Sequence, residues 1–492
     1  MELNPLLCTD FYKVDHRRQY PTGTQFVFSN LTARSGKNSN VPSDGHVVFV
    51  GLSAVLAEMN EMWNKGFFSL SEDDAVQRYR DIIEPAVGPL KDYEHIRSLH
   101  RLGYLPLTIR ALPEGSLVPY GVPMLTIVNT HPDHFWLTNY VETYLSSMLW
   151  KPITSATTAY AYRKLIDSYL AETSDNPFFA WFQGHDFSAR GMSGPHDATM
   201  SGIGHLASFI GTDTISAIHA VLTYYGKGTA SLVGASVAAT EHSVMCAGAK
   251  DSEIETIRRL ITEIYPSGIV SIVSDTWDFW KVINEYAPAL REEILNRDGK
   301  VVFRPDSGDP VKIICGDPNA TPGSCEFLGA VRILDKHFGT TTNSKGYKVL
   351  NSKVGLIYGD SITYERAKAI LQNLKSMGYS TENIVFGIGS YTYQNVTRDT
   401  HGFAIKATWA QINGEHRELF KDPVTDNGVK KSHRGLLRVD RINDKYVVID
   451  KLTREDYFSN GGCLDCVMQN AEMVRRAPTI SEIRDRLHTQ NK

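Results

Sequence analysis

The stretch "KVGLIYGDSITYERAKAILQNLKSMGYSTENIVFGIGS", residues 353–390, decides how the middle of this chain folds. An apolar run, "KVGLIYGD", ends in glycine and aspartate. A helical pattern, "SITYERAKAILQNLKSMG", follows, and a second run, "NIVFGIGS", ends in glycine and serine. Strands apolar on both faces and joined by a helix belong to a parallel sheet covered on both sides. The same rhythm begins at about residue 178 and takes in "FFAWFQGHDF", "ASFIGTD", "ASLVGASV", "IVSIVSD" and "VVFRPDSG". Helical stretches such as "TISAIHAVLTYYG" and "SEIETIRRLITEIYP" lie between them. Seven such units suit a closed or nearly closed β/α barrel, whose reactive groups sit at the carboxyl ends of the strands. There lie Asp186, Phe187, Asp213, Asp275, Arg304, Asp306, Asp360 and Gly389. The plainer role for any single terminal Asp is a helix N-cap. Charged, aromatic or glycine residues at all the strand ends argue for a ligand site.

On either side the rhythm changes. Up to about residue 145, "HVVFVGL" and "LPLTIRALPEGSLVPYGVPMLTIVNT" read as alternating strands broken by Pro and Gly turns. The helical "FWLTNYVETYLSSMLWKPITSATTAYAYRKLIDSYL" leads into the barrel. After about residue 400 strands return in "HGFAIKATWAQING" and "GLLRVDRINDKYVVIDKL", ahead of a charged helix. The expected architecture is α/β: an irregular β/α barrel over residues 146–399 carrying the active site, and a second α+β domain. That domain is built on an antiparallel sheet from residues 1–145 and 400–492.

Composition excludes several functions. A chain of 492 residues exceeds what one core usually supports. Its 42% hydrophobic and 22% charged residues are ordinary for a soluble protein. A net charge of −4 and a pI of about 6.5 give no field for nucleic acid or an anionic membrane. No run of roughly 18 apolar residues spans a bilayer, and "MELNPLLCTDFYKVDH" lacks the regions of a secretory signal. Six cysteines fit reduced thiols in the cytoplasm. Cys463 and Cys466 form one C-x-x-C with no second pair at zinc spacing, so they read as ordinary thiols. The sequons at Asn30 and Asn395 are then chance matches. There is no internal repeat, no phosphate-binding G-x-x-x-x-G-K-[ST] and no H-E-x-x-H. "GIGHLA", residues 202–207, matches a dinucleotide fingerprint but lacks a clear preceding strand.

Glycines at strand ends, as in "IYGD" and "FGIGS", let backbone N–H groups approach a phosphate. "FRPDSGDP", residues 303–310, sets Arg304 two residues from Asp306: a fork for an anion beside an acceptor for hydroxyls. Phe187 offers a stacking face for a flat ring. Together these suit a sugar phosphate bearing a planar base, and they do not name a reaction.

The ordered set "LLCTDFYKVDHRRQYP", "HDFSARG", "GTDT", "EHS", "VSDTWD", "RPDSGDP", "GDS", "FGIGS", "TRD" and "FKDPVTD" is more specific. In order and approximate spacing it resembles the nicotinamide phosphoribosyltransferases, of the type II phosphoribosyltransferase family, from about Leu6 to about Gly435. The likeness is weakest in "KIICGDPNATPGSCEFLG", which reads as an insertion, and after residue 440. The resemblance implies an irregular α/β barrel with an antiparallel sheet domain, working as a homodimer with active sites shared across the interface. It also implies a pentosyltransferase of NAD salvage. Nicotinamide and phosphoribosyl pyrophosphate would become nicotinamide mononucleotide and pyrophosphate, with Mg²⁺ required and ATP as co-substrate.

Residue by residue, the resemblance implies that Phe187 stacks on the pyridine ring, with Tyr12 of the second subunit on the other face and Asp10 nearby. Asp213 accepts from the nicotinamide amide, and Arg190, Ser236, Ser271 and Arg304 line the same pocket. Asp306 lies near the ribose hydroxyls and Asp360 near the ribose phosphate. Gly359, Gly389 and Ser390 present donors to the 5′-phosphate. Arg34, Arg398 and Lys421 bind phosphates of the co-substrates. His242 takes a phosphoryl group from ATP, beside Asp275. Read without the family, the aromatics are core residues, the cations solvated surface charges, Asp213 a helix cap and His242 a structural histidine. Ser390 replaces a family glycine, Ser188-Ala189 replaces Gly-Tyr, and "KKSHRG" shortens a polybasic stretch. Rival readings are nicotinate phosphoribosyltransferase, which a carboxylate at 213 would disfavour, and a non-catalytic binding protein on this scaffold. A Schiff-base aldolase barrel would want a lysine at a strand end, and none is there.

Overall fold

The computed structural model describes residues 4–226, 232–420, 433–459 and 461–489. The chain divides into two compact units: Met1–Thr157 with Ala220–Ser231 and Thr397–Lys492, and Thr158–His219 with Leu232–Val396. The chain passes from the first to the second within the 32-residue helix Glu142–Thr173.

The second unit holds the β/α barrel. Its sheet runs Gly184–Asp186, Ile384–Ile388, Val354–Tyr358, Asp298–Arg304, Ser267–Val273, Ala238–Ala239, with each neighbouring pair parallel. Single parallel bridges, Asp186 to Thr212 and Gly211 to Ala235, continue the curl from one end of this sheet toward the other. The runs "ASFIGTD" and "ASLVGASV", expected as full strands, therefore supply single bridges at Gly211, Thr212 and Ala235, and the two-residue strand Ala238–Ala239 follows directly after the second run. Gly211 and Gly234 explain this, because a strand interior without side chains packs weakly. Residues 353–390 form the expected strand, helix and strand, Val354–Tyr358, Tyr364–Ser376 and Ile384–Ile388. Thr363 caps the helix Tyr364–Ser376, accepting from the Arg366 N–H at 3.3 Å, and Ala367, Ile370, Leu371 and Leu374 bury its inner face. "GIGHLA" lies largely inside the helix Pro195–Leu206, where a Cβ on Gly202 would meet the Ala217 methyl at 2.5 Å. Gly202 serves close packing.

The first unit is built on a seven-stranded sheet. Its order is Glu415–Glu418, Ala404–Ile412, Thr24–Thr32, Pro123–Asn129, Leu107–Ala111, Asp465–Gln469, Glu472–Met473. Early and late chain segments pair antiparallel, Phe28 opposite Trp409 and Ile109 opposite Met468. His46–Phe49 with Ser116–Pro119, and Leu436–Ile442 with Lys445–Leu452, form separate two-stranded ribbons. Residues 220–226, read from sequence as barrel, group with this unit. Tyr225 donates to Glu114 Oε2 at 3.0 Å and Gly226 N–H to the Pro478 carbonyl at 2.9 Å. Asn30, a sequon position, is buried within the sheet. All six cysteines are free. Among the described residues no helix is long and apolar enough to cross a membrane.

Candidate active site

Strand alternation places the first group. His185 and Phe187 share one face of the segment after Gly184, while Asp186 points the other way and is fully buried. Asp186 is committed to structure: Oδ1 accepts from Ser188 N–H (2.9 Å) and Oγ (2.6 Å), and Oδ2 from Thr214 Oγ1 (2.7 Å). His185 Nε2 lies 2.8 Å from Asp213 Oδ1, and Ser236 Oγ donates to the same oxygen at 2.5 Å. Burial would raise the Asp213 carboxyl. The bonds from His185 and Ser236, with the charges of His185 and Arg304, outweigh it and hold Asp213 below the usual carboxylate range. The Phe187 ring sits 4.6 Å from His185, centroid to centroid, and a Cβ at Gly387 would come within 2.6 Å of Phe187 Cδ2. Gly387 therefore makes room for the aromatic.

These groups line one end of a cavity of about 390 Å³ inside the barrel, with Ser271 and Arg304. Ser271 Oγ is buried and has no hydrogen-bond partner among the described residues. Lys300, Val302 and Arg304 alternate onto the cavity face of Asp298–Arg304, and Lys300, Glu382 and Asn383 line the cavity's other end.

The second group gathers at the ends of Ser267–Val273, Asp298–Arg304 and Val354–Tyr358. Asp275 Oδ2 accepts from the Asp306 N–H at 2.9 Å, and Arg304 Nη2 donates to the Thr240 carbonyl at 2.9 Å. Arg304 Nε stands 3.5 Å from Asp306 Oδ1. His242, half-exposed, contacts Thr276 Oγ1 through Nδ1 at 3.0 Å. Its Nε2 faces Asp275 Oδ1 at 3.8 Å and Asp306 Oδ2 at 3.9 Å. Burial pushes the Asp306 carboxyl up; Arg304 and His242 oppose this, and Asp275 and Asp360 add to it. Asp275 Oδ1 and Asp306 Oδ1 are buried without hydrogen-bond partners among the described residues. Both are hard oxygen donors, suited to a divalent cation.

The backbone explains the convergence. Gly308, at φ 92°, turns "RPDSG", and the Tyr358 hydroxyl donates to the carbonyls of Ser307 (2.8 Å) and Gly308 (2.9 Å), tying that turn to the next strand. A Cβ on Gly359 would collide with Asp306 Oδ1. A Cβ on Gly389 would meet nothing within 4 Å, so this strand end opens onto free space. Ser390 packs against Gly191, whose missing Cβ accommodates it. Arg190 and Asp360 are exposed in the same unit. Asp10, Tyr12, Arg34 and Arg398 belong to the first unit; Lys421 lies outside the described residues.

Sequence reading missed His185, Thr240 and Thr276. The period-two pattern of "GHDF" signals His185, which shares a face with Phe187. Thr276 stands beside Asp275 in a stretch already singled out, while nothing local marks Thr240.

Residues 182–460 match the profile of the nicotinate phosphoribosyltransferase (NAPRTase) family, and residues 4–109 that of the nicotinamide phosphoribosyltransferase N-terminal domain. The nicotinamide phosphoribosyltransferase of Acinetobacter baylyi is 53% identical over 498 residues, covering 99% of this chain and 98% of that protein. The one from Mycoplasma pneumoniae is 36% identical, covering 86% and 93%. The one from Xanthomonas campestris is 35% identical, covering 98% and 97%. In fold, nicotinate-nucleotide pyrophosphorylase from Pyrococcus furiosus matches with a TM-score of 0.58 at 16% identity, over 99% of this chain and 95% of that one. Human nicotinic acid phosphoribosyltransferase matches at 0.55 and 16%, over 98% and 93%.

Proposed function

The chain belongs to the nicotinate phosphoribosyltransferase family, and we propose that it is the nicotinamide-using phosphoribosyltransferase of pyridine nucleotide salvage. It joins nicotinamide to phosphoribosyl pyrophosphate and releases pyrophosphate. The bond from the anomeric carbon to pyrophosphate breaks and its electron pair leaves with the phosphate oxygen, while the pyridine nitrogen bonds to that carbon and becomes cationic. The nitrogen is already a nucleophile, so no strong base is needed; departure of the leaving group is the difficult part.

The observation that carries the choice of substrate is Asp213. His185 and Ser236 both bond Oδ1, so Oδ2 is left to accept from the amide NH₂ of nicotinamide. The same ionised oxygen repels the carboxylate of nicotinic acid. Phe187 stacks on the ring, and Tyr12 of a second copy covers its other face. The exposure of Phe11 (54%) and Tyr12 (63%) supports a homodimer with shared sites. Arg190 and Arg304 line the nicotinamide pocket, Arg304 reaching the phosphates as well; Gly359, Asp360, Gly389 and Ser390 receive the ribose and its phosphate, and Arg34, Arg398 and Lys421 the remaining phosphates. Asp306 stabilises positive charge developing on the sugar.

Asp275 and Asp306, with their unpartnered oxygens, would hold Mg²⁺. When bound, the ion neutralises the leaving pyrophosphate. His242 is exposed enough to take the terminal phosphoryl group of ATP, releasing ADP and coupling ATP hydrolysis to synthesis. We place the reaction in the cytoplasm.

Mononucleotide formation is measured with nicotinamide and with nicotinic acid, with and without ATP. Turnover of nicotinamide alone, raised by ATP, is the expected result. Asp213→Asn should lower kcat/KM for nicotinamide about 10- to 100-fold, the loss of one charge-assisted hydrogen bond. Preferred turnover of the acid would overturn the reading of Asp213, and synthesis that ATP does not raise would overturn that of His242.

A further inference from the structure

Arg34 follows the strand Thr24–Thr32, and Arg398 opens the one-turn helix Arg398–Thr400. Burial lowers the Arg34 guanidinium pKa, the positive charge of Arg398 lowers it further, and Asp399 opposes both. Arg398 Nη2 pairs with Asp399 Oδ1 at 3.0 Å, and the positive charge that remains on the two guanidiniums favours an anion. The link between them is His401. Its carbonyl oxygen accepts from the backbone N–H of Arg34 at 2.9 Å and of Ser35 at 3.3 Å, while the Arg398 carbonyl accepts from Phe403 N–H at 3.1 Å.

The His401 side chain is 1% exposed. Nδ1 shares a 2.9 Å hydrogen bond with the Tyr120 hydroxyl, which lies 3.0 Å from Ser43 Oγ. The Tyr120 ring stacks on the imidazole at 6.1 Å and Phe403 meets it edge-on at 5.9 Å. Nε2 is buried with no partner among the described residues. Burying an orphan polar nitrogen is unfavourable. A leucine would fill the volume without that defect, so packing alone does not account for a histidine here. What the imidazole adds is the keyed bond to Tyr120, which fixes where the His401 carbonyl points. The ionisable groups around it are Tyr120 from the turn, Arg34 from the strand end, Arg398 and Asp399 from its own element, and Asp44 beyond Tyr120. Burial drives the ring down to about 4, so it is neutral at working pH.

We propose that His401 is a positioning residue for phosphate binding: its buried ring, keyed to Tyr120, sets the carbonyl that holds Arg34 beside Arg398, so that both guanidiniums meet one phosphate. This rests on the reading of Arg34 and Arg398 as phosphate-binding cations.

The test is steady-state kinetics with both substrates and equilibrium binding of inorganic pyrophosphate. The variants are His401→Leu, His401→Gln and Tyr120→Phe, with Arg34→Ala as reference. His401→Leu and Tyr120→Phe should each raise KM for phosphoribosyl pyrophosphate and Kd for pyrophosphate about three- to tenfold, leaving KM for nicotinamide unchanged. His401→Gln, which can still bond Tyr120, should recover most of the loss. If Arg34→Ala weakens both phosphate ligands but His401→Leu and Tyr120→Phe do not, the inference is overturned and the cation pair stands. If Arg34→Ala changes nothing, the phosphate reading fails and the inference with it. Equal damage to both KM values and to kcat in the Leu and Gln variants would make His401 purely structural, which also overturns the proposal. Should His401→Leu not fold, Tyr120→Phe decides.

Discussion

Asp306 is the residue where function and stability pull apart. It sits beside Asp275, one oxygen is buried without a hydrogen-bond partner among the described residues, and its carboxyl is raised first of all by burial. A carboxyl raised above its unfolded value takes up a proton on folding. Its contribution to stability is full below the unfolded pKa and is lost as pH rises through the folded one. Above its folded pKa the ionised Asp306 therefore strains the ligand-free protein. Asp306→Asn should raise Tm at pH 8 by about 2–4 °C, with the gain shrinking toward pH 4, while kcat falls about 100-fold. Calorimetry and initial rates check both; a lower Tm at pH 8 would count against this account. Asp213 is the opposite case, a half-buried carboxylate kept ionised by two hydrogen bonds and nearby cations.

At the scale of elements, the site depends on neighbouring strands holding one another's turns. The strand Val354–Tyr358 supplies the hydroxyl that bonds the Ser307 and Gly308 carbonyls, and its following residue, Gly359, leaves room for Asp306. Tyr358→Phe keeps the ring in the core and removes both bonds. The expected loss is about 1–2 kcal/mol of stability. A three- to tenfold rise in KM for phosphoribosyl pyrophosphate should accompany it, about the effect of loosening one anion-binding turn. Urea titration and substrate kinetics test this, and an unchanged KM would mean that the turn is held by its own residues. Local signals predicted these elements well. Apolar runs ending in glycine, the Thr363 cap and the Asp309 cap on Pro310–Cys315, whose Oδ1 accepts from Val311 N–H at 2.9 Å, all lie within a few residues of what they specify.

Over the whole molecule, three buried imidazoles set a lower pH limit, and all three lie in the antiparallel unit. Burial lowers His95 to about 3, His134 to about 4 and His401 to about 4, and each has one ring nitrogen without a partner among the described residues. Histidines lowered in the fold stabilise it above their unfolded pKa, and that stability is lost as pH falls through about 6.5 toward the folded values. The slope is at most about 1.4 kcal/mol per pH unit for each. Unfolding free energies from urea titrations at pH 7, 6 and 5 should fall progressively, with hydrogen exchange rising first in the strands Thr24–Thr32 and Leu107–Ala111. Flat stability over that range would refute it. The sequence by itself determined the β/α rhythm of the barrel, the alternating strands on either side of it, and the motifs that identify the family, because periodicity, caps and glycine punctuation are local. Only the tertiary structure decided that "ASFIGTD" closes the curl through single bridges and that residues 220–226 leave the barrel. It alone set His185 against Asp213, 28 residues away, brought His242, Asp275 and Asp306 within 4.8 Å of one another, and left Asp306 raised and Asp213 lowered. Those outcomes depend on desolvation and on charges brought together by long-range packing, and no local pattern of residues carries either.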